Sequence, residues 1–427
     1  MLKFNGEQQL REFAETAYPQ SVIKITDRIH HVVGYAHSNA IVIEAENSVI
    51  LVDTFDTDER ALRLKALIAE ITDKPVKTII YTHGHPDHRG GAGAFKDTVE
   101  EIIAFAPERP LLPRTDMLKD ILNQRGNDQF GYELSEEEAL TQGIGIREGF
   151  TKRDGKRAFL IPNTVYPYRE KVELMIDGVR VELVPVMGET EDQILVWLPD
   201  DKALCCGDNY YGCFPNLYAI RGGQYRDVGA WIDSLETLLS YEAEYVLPGH
   251  TRPLIGKEKA KEVLSRFREA IEYVLEETLR GMNEGRTPEE LASTIRLPQH
   301  LADLPYLGEF YGTVAWTVRS IYTGYLGWFD GNPTNLNKLP SSEHASKMLK
   351  LVGGATHLLE EIRIGLDCEE YQWAIELCDL LLNAQEKTNQ ALLLKAEGLK
   401  ALSKQEMSAN GRHYYIAYAK RLMNNQT

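Results

Sequence analysis

Three histidines and one aspartate lie within six residues in the segment THGHPDH, where they are His83, His85, Asp87 and His88. Imidazole nitrogens and carboxylate oxygens are ligands that zinc accepts in proteins, and a sharp loop can direct such side chains at two adjacent ions. Burial of so many polar groups without a metal would leave their desolvation uncompensated, which disfavours a purely structural role. The spacing therefore predicts a metal centre in this segment.

The elements around this segment are typical of an α/β fold. The residues before it, VKTIIYT, predict a buried strand that delivers the four side chains onto the loop after it. Upstream, AIVIEA and SVILVDT are β-rich runs, and residues 60–71 carry apolar side chains at helical spacing. Because α/β folds place their chemistry beyond the carboxyl ends of strands, this loop is a suitable position for a site.

Strand patterns return after a long irregular segment. Residues of about 107–170 are rich in glycine, proline and charge, with little periodicity, and predict a functional insertion that could cover the site. The runs VELMI, VRVELVPV, QILVWLP and KALCCGD then predict strands, the last of which ends at Asp208. Helical patterns follow at 228–239 and 257–281, and Thr287, Pro288 and Glu290 predict the start of another helix.

The last part of the chain is almost wholly helical in its pattern. The segment GWFDGNPTNLNKLP, at 327–340, predicts a loop and a domain boundary. Beyond it, apolar side chains recur at helical spacing and predict stacked antiparallel helices without chemistry of their own: Tyr371, Ala374, Ile375, Cys378, Leu392, Leu393, Ala396 and Leu399. We predict a catalytic domain over 1–335 and a helical domain over 336–427.

Composition limits the classes of function. The chain has 43% hydrophobic and 26% charged residues, as soluble globular proteins do, and no apolar run approaches the ~20 residues that span a bilayer. A net charge of -17 argues against a nucleic-acid partner. The first residues, MLKFNGEQQLREF, lack the apolar stretch of a signal peptide, and the five cysteines form no C-x-x-C pair. We expect a cytoplasmic protein with reduced thiols, no cysteine ligands and no membrane partner.

The H-x-H-x-D-H pattern of residues 83–88 resembles the signature of the metallo-β-lactamase superfamily. Three later landmarks of that superfamily have counterparts in this chain, which are Gly188-Glu189-Thr190, Gly207-Asp208 and Pro248-Gly249-His250. Most members of the superfamily carry histidine where Glu189 stands. In carrying a carboxylate at this position, the chain resembles the linear alkyl sulfatases, which are one branch of the superfamily.

The similarity to linear alkyl sulfatases extends over most of the chain, in the segments SNAIVIEA, RGNDQFGYEL, NLYAIRGGQYRD, GWFDGNPTNL and EEYQWAIELCDLLL. It implies an α/β fold class, with a metallo-β-lactamase αββα sandwich followed by an all-α domain that forms a homodimer. Phe130 departs from the family, which has a sulfate-contacting tyrosine there; the hydroxyl of Tyr132 could replace it. The family continues into a C-terminal sterol-carrier-like domain, which we expect this chain to lack.

The resemblance also implies two Zn²⁺ ions per chain and the residues that hold them. The first ion would be bound by His83, His85 and Glu189 and the second by Asp87, His88 and His250, with Asp208 bridging; Asp87 and Asp208 would be the catalytic residues. Asn216 and Arg221 would contact a sulfate ester, with Arg226 in support. The same ligand types accept manganese or iron, so metal identity stays open.

The chemistry of such a centre can be argued independently. Two zinc ions lower the pKa of a bridging water from ~15.7 toward about 7, which supplies hydroxide at neutral pH. The planar fork of Arg221, soon after Asp208 in the chain, suits two anionic oxygens. A carboxylate such as Glu189 in place of an imidazole should weaken the Lewis acidity of the first zinc while holding the ion more firmly.

We therefore predict an alkyl sulfatase-like hydrolase that cleaves a small anionic sulfate monoester to alcohol and sulfate with a dizinc-bound hydroxide. Two alternatives stay open. One is another hydrolase of the same fold that acts on a carboxylic ester, thioester or phosphoester, and a thioesterase would not need Arg221 to point at the metals. The other is a non-catalytic zinc-binding dimer, against which the complete ligand set argues.

Overall fold

A computed structural model describes residues 5–424 of the chain. Its first sheet has seven strands in chain order: β1 (Ser21–Lys24), β2 (Ile29–Val33), β3 (Ala40–Glu44), β4 (Val49–Val52), β5 (Val76–Ile80), β6 (Glu101–Phe105) and β7 (Thr164–Tyr166). Strands β1 to β4 pair antiparallel, and β4 to β7 pair parallel. Strand β5 is central and almost wholly buried, as expected for an apolar run in a parallel region.

The second sheet has six strands: β8 (Val172–Ile176), β9 (Val179–Pro185), β10 (Ile194–Leu198), β11 (Ala203–Gly207), β12 (Tyr245–Pro248) and β13 (Leu254–Ile255). Their order is β13-β12-β11-β10-β9-β8. Strands β11 and β12 are parallel, and β10 runs antiparallel to both β9 and β11. Strands β9, β11 and β12 therefore run in one direction, and their carboxyl ends meet at the same edge.

Fourteen α-helices lie in the described part of the chain. The first nine are α1 (Gly6–Ala17), α2 (Asp58–Ile71), α3 (Pro86–Arg89), α4 (Lys119–Phe130), α5 (Val228–Ser240), α6 (Lys257–Asn283), α7 (Pro288–Thr294), α8 (Gln299–Ala302) and α9 (Val314–Leu326). The last five are α10 (Ser341–Leu351), α11 (Ala355–Asp367), α12 (Tyr371–Asn383), α13 (Thr388–Gln405) and α14 (Ala409–Asn424). Among the described residues, no helix combines the length and apolar character needed to cross a bilayer.

The two sheets pack face to face around a common apolar core. Ile41 and Ile50 of the first sheet belong to one buried cluster with Leu183 and Val196 of the second. Helix α2 covers the outer face of the first sheet, and α5 and α6 cover the outer face of the second. Four layers result, because each sheet buries one face against the other sheet and one against helices. This arrangement confirms the predicted αββα fold class.

Contacts divide the chain into two compact units. One comprises Glu12–Lys119 and Thr141–Tyr325, and includes both sheets. The other comprises, within the described range, residues 5–11, Asp120–Leu140 and residues 326–424, so two earlier segments belong to the helical unit. No sequence pattern predicted that these segments belong to the helical unit. The domain boundary at 335 stays a prediction, and it lies close to the division that the contacts make.

Long-range polar contacts explain how residues 120–140 belong to the helical unit. Lys420 donates to Glu138 at 2.8 Å, and Arg421 pairs with the buried carboxylate of Asp128. These pairs connect residues that are far apart in the chain, so no local sequence pattern announces them. Helix α4 itself is polar and contains Gly126, which is why the predicted insertion showed little helical periodicity.

The apolar stripes predicted for the helical unit are mostly buried. Ala374 and Cys378 of α12 are fully enclosed, and Ala396 and Leu399 of α13 lie in a second small cluster. Leu393 was expected in the same stripe, but half of its surface is exposed. The prediction was wrong at this residue, because the buried face of α13 is narrower than the run of leucines suggests.

Candidate metal centre

The predicted ligand-bearing loop follows β5 and leads into the single turn of α3. His83 and His88 are buried, and Pro86 occupies the first helical position, where its missing N–H costs nothing. The loop passes very close to neighbouring backbone. A Cβ on Gly91 would lie 2.0 Å from the backbone oxygen of Thr54, so this position requires glycine.

The remaining predicted ligands arrive from the second sheet. Glu189 follows β9, Asp208 follows β11 and His250 follows β12, so all three lie beyond the carboxyl ends of strands that run in one direction. Gly249 leaves room for this convergence. A Cβ there would lie 2.5 Å from Asp208 Oδ1 and 2.7 Å from His88 Cε1.

One set of side chains surrounds Glu189. His85 Nδ1 lies 3.6 Å from Glu189 Oε2 and 3.1 Å from His83 Nε2, and His83 Nε2 lies 3.5 Å from Asp208 Oδ2. We call His83, His85 and Glu189 the first group. His85 Nδ1 faces both His83 Nε2 and Glu189 Oε2 across distances that a single ion could fill.

A second set surrounds Asp87. His88 Nε2 and His250 Nε2 lie 3.3 and 3.4 Å from Asp87 Oδ2, and 3.5 and 3.4 Å from Asp208 Oδ2. We call Asp87, His88 and His250 the second group. Asp208 Oδ2 therefore lies close to a histidine of the first group and to both histidines of the second, which is the position of a shared ligand.

Unsatisfied buried atoms support the presence of metal ions. Asp208 Oδ1 and His88 Nε2 are enclosed and have no hydrogen-bond partner among the described residues. Buried polar atoms without partners are rare in folded proteins, and each calls for an explanation such as an ion. The donor set of imidazoles and carboxylates fits zinc and related divalent metals.

Charges in the centre are strongly coupled. Burial acts to raise the pKa of Asp208, but His88 and His250 outweigh it and hold this pKa well below its usual range. Burial acts to lower the pKa of His88, but Asp208, Asp87 and Asp53 raise it well above 6.5. The clustered carboxylates therefore demand positive charge beside them, which a divalent ion supplies in place of protons.

Hydrogen bonds orient the outer nitrogens of the second group. His88 Nδ1 lies 2.7 Å from Asp53 Oδ2, and Asp53 also accepts hydrogen bonds from the backbone N–H and the hydroxyl of Thr82 at 2.9 and 2.8 Å. His250 Nδ1 lies 3.0 Å from the backbone oxygen of His37. Such partners fix which ring nitrogen faces a metal. The sequence analysis missed Asp53, although it lies at the end of the predicted strand SVILVDT.

A pocket of about 370 Å³ borders the first group. Its lining includes His85, Glu189, Arg221 and Arg226, together with apolar or aromatic residues such as Leu111 and Tyr218. Leu111 belongs to the predicted insertion, so part of that segment lies at the pocket. Arg221 thus lines the same pocket as His85 and Glu189, and its contact with a sulfate ester stays a prediction.

The other two predicted sulfate contacts are held by protein partners. Arg226 forms an ion pair with Glu189 Oε2 at 3.1 Å and also donates to the backbone oxygen of Asn216. Asn216 is buried, and its backbone N–H donates to the hydroxyl of Tyr211 at 2.8 Å. That hydroxyl donates to Glu189 Oε1 at 2.8 Å. Tyr211, which the sequence analysis missed, thus links Asn216 to the first group.

Phe130 stands where the family has a sulfate-contacting tyrosine, and Tyr132 was predicted to supply the missing hydroxyl. Phe130 and Tyr132 both belong to the helical unit, and their rings stack with centroids 5.4 Å apart. This stacking fixes the two rings against each other, and a sulfate contact by Tyr132 stays a prediction.

Comparisons with known proteins agree with this architecture. The sequence profile of the metallo-β-lactamase superfamily matches residues 33–250, and that of alkyl sulfatase dimerisation matches residues 287–425. A linear primary-alkylsulfatase from Pseudomonas sp. is 35% identical over 389 residues, which cover 89% of this chain and 73% of that protein. The chain belongs to the alkyl sulfatase family of the metallo-β-lactamase superfamily.

Other members of the family extend the comparison. An alkyl/aryl-sulfatase from Saccharomyces cerevisiae is 30% identical over 94% of this chain and 64% of its own length. The solved structure of a stereoselective inverting sec-alkylsulfatase from Pseudomonas sp. superposes with a TM-score of 0.85 at 25% identity, covering 97% of this chain and 66% of that one. The predicted family and fold are confirmed.

Proposed function

We propose that this protein hydrolyses an alkyl sulfate monoester to an alcohol and sulfate at a centre of two divalent ions, natively zinc. One observation carries the proposal: the two ligand groups meet at Asp208, and the first group borders a pocket that Arg221 lines. The names of the relatives, which are alkyl sulfatases, support the same substrate class.

The proposed first ion is held by His83, His85 and Glu189 and the second by Asp87, His88 and His250, with Asp208 shared between them. When bound, the two ions would lower the pKa of a water that they share to about 7 and so supply a nucleophile at neutral pH. Asp87 and Asp208 are proposed as catalytic residues because both bring carboxylate oxygens to the reacting centre. As ligands, these two carboxylates would hold the ions, and with them the nucleophilic water, in position for the reaction.

Arg221 is proposed to bind the anionic part of the substrate. Its guanidinium presents parallel N–H donors that match two sulfate oxygens, a match that a point charge such as lysine lacks. Asn216 would add a neutral donor through its side-chain amide. Arg226 is engaged with Glu189, so its positive charge lies beside the anion site and its geometry is fixed by the first group.

The apolar part of the pocket suits the alcohol part of the substrate. Leu111, Met187 and Tyr218 are among its lining residues, and none of them carries a charge. An uncharged alkyl group can lose contact with water there, which favours binding in proportion to the apolar area covered. The pocket therefore pairs an anion site with an apolar surface.

We also propose that the protein is a cytoplasmic homodimer formed through α10 to α14. The match to alkyl sulfatase dimerisation supports the dimer, as do Trp373 and Leu351, large apolar side chains that are 52% and 79% exposed. The five free cysteines support the location. Light scattering should give twice the mass of the chain; a fully active monomer would contradict the dimer.

The activity can be tested with a panel of short and long alkyl sulfates, aryl sulfates, phosphoesters and thioesters, assayed with zinc-loaded protein. We expect sulfate release to be fastest from alkyl sulfates, and elemental analysis to give two ions per chain. Faster turnover of a thioester or phosphoester than of every sulfate, with both ions bound, would overturn the substrate proposal. Stoichiometric metal without turnover of any ester would support a non-catalytic role.

A further inference from the structure

One buried histidine lies beside the second group and has no role so far. His37 lies in the loop between β2 and β3, and only 4% of its surface is exposed. Its Nε2 is 4.0 Å from Asp87 Oδ2, and its ring centroid is 5.0 Å from that of His250. One ligand atom from each of His37, Asp87 and His250 lies within 4.8 Å of the other two.

The orientation of the His37 ring is determined by its other nitrogen. Nδ1 lies 3.0 Å from the backbone oxygen of Ile146, which can only accept a hydrogen bond. Nδ1 must therefore carry the proton, and in the neutral ring Nε2 presents a lone pair toward the Asp87 carboxylate. Two acceptors that face each other inside a protein need a cation between them.

The distance between these two acceptors fits a metal ion. Zinc binds histidine nitrogen at ~2.0–2.1 Å and carboxylate oxygen at ~2.0–2.2 Å, so two ligands on opposite sides of one ion are about 4.0–4.3 Å apart. The separation of His37 Nε2 and Asp87 Oδ2 is 4.0 Å, too long for a direct hydrogen bond.

The segment that carries His37 is hydrogen-bonded to the loops that carry the second group. The backbone oxygen of His37 lies 3.0 Å from His250 Nδ1, and the hydroxyl of Ser38 donates to the backbone oxygen of Asp87 at 2.8 Å. The N–H of Asn39 donates to the backbone oxygen of Gly249 at 2.7 Å. These bonds hold His37 in register with Asp87 and His250, as a ligand requires.

We propose that His37 Nε2 is a further ligand of the second metal ion, beside Asp87, His88, His250 and the shared Asp208. The inference rests on the proposed metal centre and adds a residue to it. Five protein ligands enclose the second ion, whereas the first keeps four. The second ion is thus held more tightly and has less room for exchange with solvent.

Two substitutions separate ligation from local packing. Asparagine can place its amide near the position of Nδ1, so His37→Asn keeps a donor for Ile146 and removes Nε2. Glutamine can place its carbonyl oxygen near the position of Nε2, so His37→Gln keeps a weaker ligand. We expect His37→Asn to bind the second ion at least about tenfold more weakly, with His37→Gln intermediate and the first ion unchanged.

His31→Gln is a matched control. His31 is also fully buried, and its Nε2 lies 3.1 Å from the backbone oxygen of Pro248, a contact that a glutamine amide can keep. The Nδ1 that the substitution removes has no hydrogen-bond partner among the described residues. This variant should bind both ions as the unmodified protein does, and all three metal-free variants should melt near the same temperature.

The readout is metal titration together with the visible absorption of the Co²⁺-loaded protein, which reports the ligands of the ion independently of turnover. Equal affinities and spectra for His37→Asn and the unmodified protein would overturn the proposal. Failure of the unmodified protein to bind a second ion would instead overturn the metal centre itself. If His37→Asn does not fold, NMR of cadmium-loaded protein decides, because coupling between cadmium and labelled His37 Nε2 is present only for a ligand.

Discussion

The two ligand groups of the candidate centre differ in their contact with the pocket. His85 and Glu189 of the first group line it, whereas no member of the second group does. A group that borders the pocket can contact a substrate bound there. We therefore infer that a substrate contacts the first group.

The groups differ equally in how they are supported. The second group is oriented by Asp53, by the backbone of His37 and by Ser38, all buried polar partners. Glu189 of the first group depends on the Tyr211 hydroxyl and on Arg226, which itself lines the pocket. The buried partners of the second group suit an ion that stays in place. Because Arg226 both holds Glu189 and lines the pocket, a bound substrate can affect the ligands of the first ion.

The largest effect is expected from loss of the ligand that both groups share. Asp208→Ala removes the carboxylate from both proposed ions, so both should bind more weakly and kcat/KM should fall about a thousandfold or more, which corresponds to several kcal/mol of transition-state stabilisation. Elemental analysis and kinetics measure the two effects. Asp201→Ala, which loses the ion pair with Arg28 and a hydrogen bond from Thr26, is the control. Loss of one ion alone would show that Asp208 does not bridge.

Asp53→Ala tests the support of the second group. Its carboxylate orients His88 without contact to the pocket, and loss of such a partner costs about 10- to 100-fold in metal affinity. We expect the second ion to be weakened by that factor and the first to be retained, as measured by chelator competition. Equal weakening of both ions would remove the distinction between the groups.

Arg221→Ala tests whether the pocket side of the centre recognises the anion. A charge-assisted hydrogen bond contributes about 1.5–3 kcal/mol, so kcat/KM for alkyl sulfates should fall roughly ten- to hundredfold while metal content stays unchanged. Arg221→Lys keeps the charge but loses the fork, and should recover only part of the activity. Normal hydrolysis of sulfates by the alanine variant would contradict the proposed role.

The metal centre could be predicted from the sequence because most of its candidate ligands lie close together in the chain or beside recognisable strands. The H-x-H-x-D-H pattern concentrates four candidates in six residues after an apolar strand, and the later Glu189, Asp208 and His250 each follow a recognisable strand or turn. The structure brings all seven together. Strand and helix bounds were also accessible, since alternating or continuous apolar runs such as VELMI and VILV determine them locally.

The residues that sequence reasoning missed depend on tertiary pairing. His37 is a single histidine in a loop without other ligand types nearby, and it meets Asp87 only because β2 and β3 bring its loop beside the centre. Asp53 meets His88 because β4 and β5 are parallel neighbours. Tyr211 was one buried tyrosine among several. No spacing rule connects these residues with the centre.

The smallest of these effects is expected at Tyr211, whose hydroxyl connects Glu189 with the backbone of Asn216. Tyr211→Phe leaves the Asn216 N–H without its partner and releases one oxygen of Glu189, a change worth about 1–2 kcal/mol, so kcat/KM should fall roughly five- to thirtyfold. The first ion should bind a few-fold more weakly and the second should not change, because phenylalanine keeps the ring that packs against His250 and only the hydroxyl is lost. Tyr210→Phe is the matched control, since this neighbouring buried ring packs against Phe267 in the core of the second sheet. Equal effects of Tyr211→Phe on both ions would show that the two groups share their support after all.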